Sequence, residues 1–76
     1  MDVKFYTEEG TEFTMEVWYF AKVGEIKEAI QKRRDIPAKS QRLFFNGREL
    51  DDDGRDTEHY SIIQNSRIRL ETNEAA

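Results

Sequence analysis

Apolar and polar residues alternate from the first position, with Met1, Val3 and Phe5 on one side and Asp2, Lys4 and Tyr6 on the other. A period of two puts each set on one face of a β-strand. Thr7-Glu8-Glu9-Gly10 interrupts the pattern and ends on the residue that best tolerates positive φ, which predicts a hairpin turn with a bulge at Gly10. Alternation resumes from Thr11 to Val17, where Phe13, Met15 and Val17 oppose Glu12, Thr14 and Glu16. Two such strands make an antiparallel hairpin whose apolar face needs a cover.

After Phe20 the period lengthens. Val23, Ile26, Ala29 and Ile30 fall at helical spacing, predicting a helix of about three turns over 23–34. Glu25 and Glu28 near its start and Lys32, Arg33 and Arg34 at its end suit the helix dipole. The start is weak, because Ala21-Lys22 offers no capping side chain and Gly24 has low helix propensity. Pro37 forbids continuation and biases Ile36 toward extended geometry. Leu43 and Phe45 then alternate with Arg42 and Phe44 in a third strand, Asn46-Gly47 signals a tight hairpin, and Arg48-Glu49-Leu50 returns briefly. Asp51 to Asp56 is an acidic loop. Tyr60 and Ile62 point back to the core, Asn65-Ser66 turns, and Arg67 to Thr72 alternates again with Ile68 and Leu70 inward. The order is strand, strand, helix, strand, short strand, strand, with no internal repeat.

Length and composition narrow the chemistry. A chain of 76 residues holds one domain and buries only about 60% of its unfolded surface. With no cysteine, disulfides, thiolate metal sites and cysteine nucleophiles are excluded, and one histidine makes a poor zinc site. A net charge of −4, with 37% of residues charged, points to a soluble protein rather than a nucleic-acid binder. No apolar run nears the roughly 20 residues of a membrane span, and the start has no signal-peptide hydrophobic region. A cytoplasmic or nuclear setting is the expectation.

Ile36-Pro-Ala-Lys-Ser-Gln-Arg-Leu-Phe-Phe-Asn-Gly-Arg-Glu-Leu50 resembles the third and fourth strands of the ubiquitin family with their lead-in. Thr7-x-x-Gly10, Ile26-Lys27-x-x-Ile30-Gln31, and Asp52-Asp-Gly54-Arg55 followed by Tyr60-x-Ile62 fit the same family, with one extra aspartate in 51–53. The resemblance covers Met1 to about Thr72 and implies an α+β fold, the β-grasp, in which a mixed sheet of four to five strands packs on one main helix. The strand order comes from the resemblance alone. It further implies a ubiquitin-like domain over 1–72, with 73–76 a flexible tail or the start of a linker, at the N-terminus of a larger protein.

Conjugation in that family needs a C-terminal Gly-Gly, and no glycine follows Gly54 here. The resemblance therefore implies a module that is not itself conjugated; a sulfur carrier of the same fold fails on the same missing glycines, and an iron–sulfur ferredoxin on the missing cysteines. Family members dock receptors on an apolar patch whose matching positions are Glu8, Phe44, Arg69 and Glu71, with Arg42 and Arg48 as basic neighbours. The expected partner-binding residues on this face are Arg42, Phe44, Arg48 and Arg69. The expected partners are ubiquitin or ubiquitin-like receptors, proteasome subunits or ubiquitin-pathway enzymes, bound by a monomer, with no nucleic acid, membrane, cofactor or metal. Family lysine positions hold Tyr6, Thr11, Ala29, Arg33 and Arg48, while Lys27 remains and is expected to pair with the Asp51–Asp53 triplet.

Three features lie outside the resemblance. Trp18-Tyr19-Phe20 puts three aromatics where the family has polar or small residues. They are a further candidate partner site, unless Phe20 staples the helix start and Trp18 lies over a neighbouring strand, or another domain packs there. Charge is segregated: residues 21–48 carry eight basic and three acidic groups, and 49–58 one basic and six acidic. That asymmetry leaves charge-driven dimerisation of the Phox type as the alternative function, against ordinary solvated charge. His59, with Glu58 and Ser61 as mere sequence neighbours, gives no reason to expect an enzyme.

Overall fold

A computed structural model describes residues 1–72; the expected tail, 73–76, lies outside the described residues. In chain order the elements are β1 (Asp2–Tyr6), β2 (Glu12–Glu16), α1 (Val23–Arg34), a 3₁₀ turn (Ala38–Ser40), β3 (Gln41–Phe45), β4 (Arg48–Glu49) and β5 (Arg67–Thr72). The sheet runs β2-β1-β5-β3-β4. β1 and β5 are parallel, with Phe5 opposite Ile68, and every other pairing is antiparallel. Parallel neighbours cannot be joined by a tight turn, so the long stretch between them crosses over, and α1 in that crossover covers the apolar face of the sheet.

The alternation read from the sequence is the alternation of burial. Val3, Phe5, Met15, Leu43, Ile68 and Leu70 from the strands meet Val23, Ile26 and Ile30 from α1 in one buried cluster, which Leu50, Tyr60 and Ile62 close from the loops. Half-buried Phe13 stacks on Phe5 with centroids 5.3 Å apart and carries the Arg34 guanidinium on its ring. The turns follow their chemistry. Gly10 (φ 91°) donates its N–H to the Thr7 carbonyl, and Asn46 (φ 54°) and Gly47 (φ 76°) form the two-residue turn that needs positive φ at both positions.

The start of α1, weak by sequence, is completed from elsewhere. Lys22 at the cap position has no acceptor, but its backbone N–H donates to the Glu25 carboxylate at 2.9 Å, the half of a capping box that glutamate supplies. Two further helix-start N–H groups, of Val23 and Gly24, donate to the carbonyls of Arg55 and Asp53 at 2.9 and 3.1 Å. Gly24 permits this approach: a Cβ there would stand 3.3 Å from the Cβ and carbonyl oxygen of Asp53. The acidic loop therefore caps the helix with its backbone, and Lys27 Nζ secures it from the helix side at 3.0 Å from Asp53 Oδ1. At the other end Asp35 turns left-handed (φ 58°) and donates its N–H to the Gln31 carbonyl. Buried Gln41 then ties β3 to the helix, its Nε2 donating to the carbonyls of Lys27 and Ile36 at 2.8 and 3.0 Å.

Candidate functional site

The outward positions of β3 and β5 meet on the solvent face of the sheet. Arg42 lies opposite Glu71 and Phe44 opposite Arg69 across the β3–β5 ladder, and Phe44 lies opposite Glu49 across β3–β4. Phe44 is half-buried because two guanidiniums lie on its ring, those of Arg42 at 5.1 Å and Arg69 at 4.5 Å from the centroid. Each guanidinium is held in place by carboxylates. Arg42 grips Glu49 with two hydrogen bonds, Nη2 to Oε1 at 2.8 Å and Nε to Oε2 at 3.1 Å, and reaches Glu71 at 4.0 Å. Arg69 bonds Glu71 at 2.9 Å and Glu8 of the first hairpin turn at 3.2 Å. The fork-to-fork geometry with Arg42 holds the Glu49 carboxyl below the ordinary glutamate range, chiefly through the hydrogen bond, and raises the Arg42 guanidinium by the same contact.

The sequence marked this face as an aromatic ringed by charge, with Glu8 and Glu71 beside the arginines. In the structure the arginines are neutralised by Glu8, Glu49 and Glu71, so the face is a lattice of ion pairs roofing one ring. Arg48 does not join it. Its cross-strand partner is Phe45, not Phe44, and strand alternation sends it to the other side of the hairpin, where its guanidinium lies 5.1 Å from the Tyr60 ring centroid. Glu49 escaped notice because its role depends on hairpin register; counting across the two-residue Asn46-Gly47 turn would have put it opposite Phe44.

The second candidate surface is the chain between β2 and α1. Trp18, Tyr19 and Phe20 are 64%, 63% and 61% exposed. Phe20 is not a staple and Trp18 does not lie buried against a strand. The backbone turns here: the Ala21 N–H donates to the Trp18 carbonyl, closing a turn with Tyr19 and Phe20 at its centre, and Phe20 takes φ 67°. Positive φ at the second central residue alone, as in a type II turn, accompanies a ring left to solvent. Ile63, 67% exposed, shares a depression with Tyr19, Phe20 and Glu58. Sequence reading passed over Ile63, since it follows inward-facing Ile62; alternation from that residue would have turned it outward.

The remaining candidates are structural. The acidic loop spends much of its chemistry internally: Asp53 on Lys27 and the helix start, and Asp52 on Arg55 and the Gly54 N–H. His59 packs edge-on against Tyr60 and gives its backbone N–H to Asp56 Oδ1, a turn contact.

A five-stranded mixed sheet in this order, packed on one helix, defines the β-grasp fold. The sequence matches the family described as the ubiquitin family over residues 2–74. It is 30% identical over 70 residues to ubiquitin domain-containing protein 7SL RNA2 of Arabidopsis thaliana, an alignment covering 92% of this chain and 27% of that protein. It is 36% identical over 62 residues to ubiquitin-like protein 4A of Anoplopoma fimbria, covering 82% of this chain and 39% of that one. It is also 33% identical over 70 residues to the ubiquitin-like protein NEDD8 of Dictyostelium discoideum, covering 92% and 90%. The chain belongs to the ubiquitin family, as a ubiquitin-like domain. It spans well under half the length of the first two of these relatives.

Proposed function

We propose that this domain is a non-catalytic, non-conjugated interaction module that docks a larger host to proteasomal or ubiquitin-pathway partners through the Phe44 face, in the cytoplasm or nucleus. The observation that carries this reading is the pair of guanidiniums held over Phe44 on the open face of the sheet. Ubiquitin-like domains generally mediate protein–protein contacts, and an aromatic ring beside fixed arginines is the composition of an interface anchor. A partner carrying its own carboxylates can take the arginines over from Glu49 and Glu71 and lay an apolar group on the uncovered ring, so that binding exchanges ion pairs rather than burying bare charge.

The reading is tested with a purified proteasomal ubiquitin receptor. Phe44→Ala should weaken binding at least tenfold while the domain stays folded by circular dichroism. Unchanged affinity removes this face from consideration.

A further inference from the structure

We propose that the Trp18–Tyr19–Phe20 turn, with Ile63 beside it, is a second docking surface, and that it takes a cationic amphipathic segment of a partner protein. Four large apolar side chains more than 60% exposed on two neighbouring loops are more than scattered surface hydrophobics require. The turn is also built to hold still. Buried Thr57 braces it from both sides, its Oγ1 accepting the Phe20 N–H at 2.9 Å and its own N–H donating to the Ala21 carbonyl at 3.0 Å. Lys22 and Asp56 form a β-bridge next to it. An aromatic turn fixed in this way loses little freedom on binding. At positive φ a phenylalanine is strained where glycine would be relaxed, and such strain at an exposed position points to a role for the ring itself.

Charge selects the occupant. The depression on the Trp18 side is bordered by Glu16 and Glu25, and the one on the Phe20 side by Glu58; neither has a lysine or arginine in its lining. Asp2 lies directly opposite Glu16 across β1–β2, a like-charge pair that is unfavourable by itself and eased by added positive charge. Among the described residues Asp2, Glu16, Glu25 and Glu58 form no salt bridge. By position in the fold the neighbouring cations are Lys4, two residues along β1 on the same face as Asp2, Lys22, three residues before Glu25, and the Met1 ammonium, which is committed to the Val17 carbonyl. None of them, among the described residues, forms a salt bridge with these carboxylates. Aromatic rings inside a carboxylate rim fit a segment whose apolar side chains seat on the rings and whose lysines or arginines meet the rim. The same rim repels acidic partners and anionic bilayers.

Trp18 is the only tryptophan in the chain, so its emission reports directly. The full chain is titrated with a tryptophan-free amphipathic Leu/Lys helical peptide and, in parallel, with its Leu/Glu counterpart. The expected result is a saturable blue shift with Leu/Lys that weakens with added salt, and none with Leu/Glu. Phe20→Gly suits the backbone and removes the ring; it should stay folded and bind at least tenfold more weakly. Ile63→Ser reads the same surface from the neighbouring loop and should weaken binding several-fold, and Glu58→Lys should do likewise. The proposal is overturned by equal shifts with both peptides, by no shift with Leu/Lys, or by Phe20→Gly and Ile63→Ser binding as tightly as the parent. It is overturned equally if raising the protein concentration alone shifts Trp18, which assigns the surface to a second copy, or if neutral vesicles alone do so, which assigns it to a bilayer. The surface shares no residue with the Phe44 cluster, so failure here leaves the receptor titration of Phe44 untouched, and the reverse.

Discussion

Replacing Thr57 by valine keeps the shape of a buried side chain and deletes one oxygen. That oxygen accepts the Phe20 N–H at 2.9 Å, and Thr57 is 3% exposed. The substitution therefore leaves a partly buried N–H facing a methyl group. A net hydrogen bond of this kind contributes about 1 kcal/mol, and stranding its donor adds to the loss, giving about 1–2 kcal/mol in all. For a domain of this size each kcal/mol moves the midpoint by about 4–8 °C, so Thr57→Val should lower Tm by roughly 4–16 °C. Thr57→Ser keeps the hydroxyl and loses only a methyl, and should cost about half as much. Thermal unfolding followed by circular dichroism gives the ranking, and amide exchange locates it: Phe20 should lose protection in the valine variant and keep it in the serine variant. If Thr57→Val melts with the parent, or Thr57→Ser is the worse of the two, the hydroxyl does not hold the turn and its rigidity needs another source.

Three further outcomes follow from the contacts described. Lys22→Ser supplies the side-chain acceptor that the helix cap lacks, completes the box with Glu25, and should stabilise the domain by about 0.5–1 kcal/mol in urea unfolding; a loss of stability would refute the capping geometry. Lys27→Ala should destabilise by about 1 kcal/mol, because the pair with Asp53 is open to solvent on the aspartate side while the lysine stem is covered, and Lys27→Met, which keeps the stem, should recover part of it. Glu49 should titrate below the ordinary glutamate range in carboxyl-detected NMR, and Arg42→Gln should return it to that range. Its folded pKa is depressed, so its contribution is present above the unfolded pKa and is lost as pH falls through the folded one. Acid therefore loosens the Arg42 lid over Phe44.

The parts of the fold legible in the sequence are those fixed by local period and turn chemistry. Val3 and Phe5 alternate, Ile26 and Ile30 repeat at helical spacing, and Asn46-Gly47 can form its turn without outside help. Lys27 on the aspartate triplet was legible through the family resemblance, as was the order of the strands. What the sequence hid depends on distant partners. The helix start looks uncapped because its acceptors are the carbonyls of Asp53 and Arg55 and carry no side-chain signature. Phe20 reads as a staple by position, yet its backbone is set by Thr57, 37 residues away, and in the left-handed turn the ring is left to solvent. The resemblance places Glu8 and Glu71 on the Phe44 face, but only register adds Glu49 and pairs all three carboxylates with Arg42 and Arg69.

The central claim, that this ubiquitin-like domain works by docking a partner on its Phe44 face, is tested most directly by NMR titration of the isotope-labelled chain with a proteasomal ubiquitin receptor. The account predicts shifts centred on Arg42, Phe44 and Arg69, with the Glu49 carboxyl signal moving as Arg42 changes partners. A saturating titration that leaves those residues still, or moves only residues away from β3 and β5, contradicts it.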